Sequence, residues 1–204
     1  MKSLSDAKKE GVLVNNIYNA ECLEIMKLMP DKCVDLILTD PPYGVGIASN
    51  PFRQKFEKKD WDSAPPRKEY FDEIFRISKN QIIWGGNYFD LPPSQCFYVW
   101  DKVQPQDFSS AMCELAWVSR QSPAKLFKQR VVSIEKWHPT TKPTELMGWC
   151  MQFFPEAETI LDSFCGSGST LVAAKQAGKK FIGIEISPEY CKIAEDRLRQ
   201  EQLF

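Results

Sequence analysis

Apolar residues follow two rhythms along this chain, short unbroken or alternating runs and a three-to-four spacing, and the two take turns. Residues 12–18 read as a short strand, and residues 22–29 as a helix with Leu23, Met26 and Leu28 on its apolar side. Val34-Asp35-Leu36-Ile37-Leu38-Thr39 has the pattern of a buried strand. Residues 44–66 keep no steady period and hold Gly44, Gly46, Pro51, Pro65 and Pro66, so a long loop is expected there. Loops of that length inside compact domains are usually functional or disordered. A helix follows over 67–78, with Tyr70, Ile74 and Ile77 on one face and Phe71 and Phe75 beside it. Strands are expected over 81–84, 97–100 and 113–118, and a helix opens at Pro143 and runs to about 154. The last third reads as strand 159–161, helix 169–177 closed by Gly178, strand 180–185, and a helix capped by Ser187 that runs to about 202. Strands alternating with helices predict an α/β fold, a doubly wound, mostly parallel sheet covered on both faces. At 204 residues the simplest organisation is one domain over 1–204.

Composition narrows the class. Hydrophobic residues at 43% and charged residues at 26% are ordinary globular values. A net charge of −1 excludes a uniformly basic coat for nucleic acid, so a polyanion must be held by a local patch. Cys22, Cys33, Cys96, Cys113, Cys150, Cys165 and Cys191 form no C-x-x-C pair, and there is a single histidine. No zinc constellation and no metal are therefore expected, and the thiols read as reduced and mostly in the core. Residues 1–10 are polar without an apolar signal segment, and no apolar run approaches membrane-spanning length. A cytoplasmic protein with no membrane partner is expected.

The chemistry begins at Asp40-Pro41-Pro42-Tyr43, directly after the strand over 34–39. Two prolines fix two torsions and remove two amide donors, so the chain turns sharply and crowds a carboxylate, prolyl carbonyls and an aromatic ring together. In open α/β sheets ligands bind at the carboxyl ends of strands. A flat ring bearing an amino group can stack on Tyr43 and donate its N–H groups to Asp40 and the Pro41 carbonyl. For a lone D-P-P the plainer alternative is a rigid turn. The second element is Asp162-Ser163-Phe164-Cys165-Gly166-Ser167-Gly168, between a strand and a helix. Its glycines let the backbone approach a ligand, but the P-loop pattern is absent and Leu171 stands where the dinucleotide fingerprint has its third glycine. Glu185 ends the next strand, where an acid can bond both hydroxyls of a ribose. Glycine turn plus acid points to a nucleoside, here adenosine in a carrier other than a dinucleotide.

D-P-P-Y after an apolar strand, together with D-x-F-x-G-S-G, resembles the amino-methyltransferases of DNA that modify adenine N6 or cytosine N4. The D-P-P-Y element first and the glycine turn last match the order of their β group, including phage-type modification methylases. The likeness extends over Asn19 to Glu24, Met29-Pro30-Asp31, Ile82 to Phe89, Tyr98 to Lys102, and His138-Pro139-Thr140-Thr141-Lys142-Pro143. Thr141, Ser163, Ser169 and Glu21 depart mildly from the usual residues.

The resemblance implies a Rossmann-like fold with permuted motif order and S-adenosyl-L-methionine as cofactor. It implies Asp40, Pro41, Pro42 and Tyr43 as catalytic residues. It further implies cofactor contacts from Glu21, Asp40, His138, Thr140, Lys142, Asp162, Phe164, Gly166, Ser167, Gly168 and Glu185. Lys142 is a candidate for the methionine carboxylate, with a solvent-facing lysine the alternative. The activity implied is methyl transfer to adenine N6 in double-stranded DNA, as in restriction-modification; cytosine N4 transfer and a silent nucleic-acid-binding subunit are the alternatives. Homodimers are common in the group it resembles. Two basic segments are candidates for DNA contact: Arg53, Lys55, Lys58 and Lys59 in the loop 44–66, and Arg120, Lys125, Lys128 and Arg130 in a recognition segment over 119–137.

Overall fold

The computed structural model describes residues 1–44, 64–105, 111–131 and 141–200. Nine strands form one sheet: β1 (Lys2–Ser3), β2 (Asn16–Asn19), β3 (Val34–Thr39), β4 (Ser78–Trp84), β5 (Cys96–Asp101), β6 (Cys113–Val118), β7 (Lys125–Lys128), β8 (Thr159–Asp162) and β9 (Lys180–Glu185). Their order is β1-β2-β9-β8-β3-β4-β6-β5-β7. Only β6 runs against its neighbours, β4 and β5; the other pairs are parallel. The doubly wound, mostly parallel sheet expected from the alternation is present.

Alternation along the central strands sends side chains to two separate cores. Leu36, Leu38, Ile82, Trp84 and Ile160 pack on one face under α4 (Thr144–Met151), α5 (Ser169–Gln176) and α6 (Pro188–Gln200). Ile37, Ile83, Leu161, Ile182 and Ile184 pack on the other under α1 (Leu4–Glu10), α2 (Cys22–Met26) and α3 (Lys68–Ile77). Both faces are covered, so the middles of β3 (Leu36 to Leu38) and β8 (Ile160 and Leu161) are unbroken apolar runs. Five of the seven thiols are buried and all are free, in line with core cysteines.

Strands β3, β6 and β9 begin and end where the apolar pattern places them. The strand expected over 12–18 starts only at Asn16, because Asn15 adopts φ +58 and its N–H bonds the Phe181 carbonyl. The helix expected to reach Met29 ends at Met26. Three elements escaped the reading: the two-residue β1, α1 and β7. Helix α1 is fixed by a capping box, in which Ser3 Oγ accepts the Asp6 N–H and Asp6 accepts the Ser3 N–H. Strand β7 is a four-residue edge inside the segment read as a DNA-recognition stretch.

Candidate active site

Strands β3 and β8 lie side by side and run the same way, with Leu36 opposite Ile160 and Ile37 opposite Leu161. The turns that follow them therefore open at one edge of the sheet. The Thr39 hydroxyl donates to Asp162 Oδ1 at 2.8 Å, tying the two turns across 123 residues of chain. A cavity of about 510 Å³ opens there, bounded by Glu21, Asp40, Lys142, the 162–167 turn and Glu185. That is the size range of small-molecule sites.

The glycine turn is braced from α6. Gly168 takes φ +82, and a Cβ on it would come within 2.8 Å of Ala194 Cβ, so only glycine lets the turn pack this close to the helix. Arg197 donates to the Ser167 carbonyl at 2.7 Å, to Ser169 Oγ at 3.2 Å and to Thr144 Oγ1 at 3.1 Å. Glu185 accepts the Gly166 N–H at 2.9 Å and the Ser187 N–H at 2.7 Å, so one carboxylate fixes the turn and the start of α6 while facing the cavity. Burial pushes the Asp162 carboxyl up to about 6, against the hydroxyls of Thr170 and Thr39 and the Phe164 N–H. Glu21 caps α2 through the Glu24 N–H at 3.2 Å. Burial and the bond to Glu21 raise the Tyr70 phenol to about 12.

The proline turn holds a closed polar cluster. Asp40 Oδ1 accepts the Tyr43 hydroxyl at 2.6 Å, and Asp40 Oδ2 accepts the Lys142 ammonium at 2.5 Å. The same ammonium lies 3.0 Å from Glu114 Oε2, and Glu114 Oε1 lies 2.6 Å from the Lys102 ammonium. Charges thus alternate along Lys102, Glu114, Lys142 and Asp40. Burial pushes Asp40 above the ordinary aspartate range, with Lys142 opposing. Burial presses upward on Glu114 too, but Lys142 and Lys102 outweigh it and hold that carboxyl at about 2. Burial would lower Lys142, yet Asp40 and Glu114 raise it.

The Tyr43 ring is seated by the segment after β4. It stacks on Tyr88 with centroids 4.9 Å apart and planes 12° from parallel, and meets Phe89 edge-on at 6.1 Å. Gly85, at φ +71, lies so near that a Cβ would fall 2.1 Å from Tyr43 Cε1.

The family model for N6/N4 DNA methylases matches residues 95–196, which is 102 of the 204 residues. The chain belongs to the N6/N4 DNA methylase family. This methylase is 27% identical over 240 residues to the Type II methyltransferase M2.DpnII of Streptococcus pneumoniae, covering 91% of this chain and 90% of that protein. Among solved structures, the M1.HpyAVI–SAM complex is 22% identical with a TM-score of 0.60, over 89% of this chain and 98% of that one. The cytosine-N4-specific PvuII DNA methyltransferase is 14% identical with a TM-score of 0.62, over 91% of this chain and 86% of that one. At those identities the two structures establish a shared fold.

Of the residues singled out in the methylase sequence, Glu21, Asp40, Lys142, Asp162, Phe164, Gly166, Ser167 and Glu185 line one cavity. Lys142 is 5% exposed, which removes the solvent-facing alternative. His138 and Thr140, and Arg53, Lys55, Lys58 and Lys59, lie outside the described residues. The other basic segment is less available than its sequence suggests. Arg120 donates to the Phe153 carbonyl and to Glu156, and sits 4.8 Å above the Phe154 ring. It is engaged in bracing the end of α4. The Lys125 ammonium lies 5.6 Å from the Phe153 ring centroid and Lys128 lies 3.9 Å from Asp101, both on the outermost strand of the sheet. Among the described residues no helix is long and apolar enough to cross a membrane. Sequence reasoning missed Glu114, and gave no role to Lys102, Gly85 and Tyr88 within the family-like segments Tyr98 to Lys102 and Ile82 to Phe89. Glu114 carried a signal, being the one charge in the run Cys113-Glu114-Leu115-Ala116-Trp117-Val118.

Proposed function

We propose that this methylase transfers a methyl group from S-adenosyl-L-methionine to the N6 amino group of adenine in double-stranded DNA. The observation that carries the reading is the placement of Asp40 in the wall of the cavity framed by the glycine turn and Glu185. One carboxylate thereby faces both the donor pocket and the acceptor turn. The residues fit the cofactor. Gly166 and Gly168 keep the turn low, Glu185 stands where ribose hydroxyls need an acceptor, and the cavity is large enough for a nucleoside with its side chain. When bound, the cofactor supplies an electrophilic methyl group on a sulfonium sulfur.

The protein's own residues do the rest. Adenine leaves the duplex at a cost of a few kcal/mol, because its amino group cannot reach the cavity inside the stack. Stacking on the Tyr43 ring returns about 1–3 kcal/mol. The amino group replaces the Tyr43 hydroxyl on Asp40 Oδ1 and gives its other proton to the Pro41 carbonyl. An acceptor on each N–H favours a pyramidal nitrogen with its lone pair aimed at the methyl group. The nitrogen that takes the methyl group would then release its surplus proton to solvent. Positioning and fixed charge supply most of the acceleration. The motif's initial Asp supports adenine over cytosine, and the closing Tyr supports DNA over RNA.

The test is to incubate unmethylated DNA with the protein and methyl-labelled cofactor, digest to nucleosides and identify the product by mass spectrometry. N6-methyladenine is expected. N4-methylcytosine would move the reading to cytosine, and an unlabelled digest would favour a silent binding subunit. Asp40→Ala should abolish labelling while calorimetry still registers cofactor binding.

A further inference from the structure

We infer that Glu114 is a positioning residue for the proposed transfer: it fixes the Lys142 ammonium on one oxygen of Asp40, leaving the other oxygen as the acceptor for the substrate amino group. The inference rests on the methyl-transfer reading and concerns a residue outside both sequence motifs.

An ammonium carries three N–H donors on a flexible stem. At Lys142 three oxygens from two parts of the chain lie close: Asp40 Oδ2 at 2.5 Å, Glu114 Oε2 at 3.0 Å and Tyr43 Oη at 3.3 Å. Glu114 is the acceptor that does not belong to the proline turn, and it is held firmly. It sits on β6 opposite Trp100 of β5, and Lys102, just beyond β5, grips its other oxygen at 2.6 Å. A hydrogen bond to Asp40 and an ion pair with Glu114 together restrain the Lys142 ammonium. Asp40 Oδ2 is thereby engaged by Lys142, and Oδ1, which among the described residues accepts the Tyr43 hydroxyl, is the oxygen a base can take.

Glu114 also divides the field of Lys142. With Lys142 alone beside it, Asp40 would be fully neutralised and a weak acceptor; with no cation it would take up a proton in this buried place. Sharing the cation with Glu114 weakens the pull of Lys142 on Asp40 and leaves that carboxyl the more basic. The other groups facing Asp40 are the Tyr43 hydroxyl, backed by Tyr88, and Asp162 on β8. None of these can replace Glu114, because none of them is a carboxylate in contact with the Lys142 ammonium.

Glu114→Gln keeps the shape and removes the charge. Three measurements read it: kcat and KM on DNA, cofactor affinity by calorimetry, and the titration of the Asp40 carboxyl carbon by NMR, assigned with Asp40→Asn. A fall in kcat of about tenfold to a hundredfold is expected, the range for misplaced reacting groups. KM for DNA and cofactor affinity should stay within about twofold, as for a contact made only in the transition state. The Asp40 midpoint should move to lower pH as Lys142 turns wholly to it, and Glu114→Asp should restore part of kcat. Lys102→Met should move the Asp40 midpoint the opposite way, since Glu114 then draws Lys142 to itself. An Asp40 midpoint and kcat unchanged in Glu114→Gln overturn the inference. Should Glu114→Gln fail to fold, Lys102→Met decides: a midpoint that rises supports the inference, and one that does not move overturns it. Wild-type protein that transfers no methyl group counts against the enzymatic reading, while the Asp40 titrations still report on Glu114.

Discussion

Gly85→Ala is a small change with a large expected effect, because two separate costs meet at one atom. The residue sits at φ +71, where a Cβ costs about 1–2 kcal/mol. The new methyl group would also stand 2.1 Å from Tyr43 Cε1, whereas ordinary contact begins near 3.4 Å, so the ring must retreat by more than an ångström. That retreat breaks the Tyr43 bond to the Asp40 carboxylate, worth about 1.5–3 kcal/mol, and disturbs the stack on Tyr88, worth about 0.5–1.5 kcal/mol. Together these amount to about 3–6 kcal/mol, a large share of a typical domain's 5–15 kcal/mol. Urea denaturation of Gly85→Ala, of Tyr43→Ala and of the double variant separates the two costs. With the ring gone, Gly85→Ala should cost only the backbone strain, so the cycle should show a coupling of about 2–4 kcal/mol. Additive effects within about 0.5 kcal/mol would refute the claim that Gly85 is glycine for the sake of Tyr43.

Other perturbations read other parts of the site. The Asp162 carboxyl is raised from 3.8 to about 6, so its contribution to stability is fully present below about pH 3.8 and is lost as pH rises through about 6. Asp162→Asn should therefore be more stable than wild type at pH 8, by up to about 3 kcal/mol, with the gap closing towards pH 4; a pH-independent gap in thermal melts would refute the assignment. Arg197→Ala should raise the cofactor Kd by about five- to thirtyfold, equivalent to about 1–2 kcal/mol, because three bonds that brace the glycine turn are lost; unchanged calorimetric affinity would show that the turn holds itself. Reversing the charge of Lys125 and Lys128 should weaken DNA binding and reduce the slope of log affinity against log salt by about 2; an unaltered slope would clear β7 of phosphate contact.

How much of this could be read from the chain depended on the distance over which each residue acts. Strands β3, β6 and β9 were legible to the residue because each is a dense apolar run bounded by polar or turn residues. The late start of β2 was not, since it follows from a left-handed asparagine whose N–H bonds a residue on another strand. Edge strands β1 and β7 are short and half exposed, so they carry little pattern. The two motifs were recognisable by their residues, and the parallel pairing of β3 with β8 brings them together. The Lys142 contacts were another matter. They depend on β6 entering antiparallel beside β4, which carries Glu114 to the proline turn, and no local spacing encodes that meeting. A lone acid inside an apolar strand was the available clue, and it says only that a cation must be near.

The self-contained bonding of Asp40 bears on what the proposed reaction leaves alone. In the resting protein the Tyr43 hydroxyl already satisfies one oxygen, and Tyr88 already stacks on the Tyr43 ring. Water can substitute for the hydroxyl but offers no aromatic surface, and a stray alkylamine offers donors without a plane. A nucleobase brings both at once, so fidelity to its target would begin before any sequence is read, in the cost of displacing a hydroxyl that already satisfies Asp40.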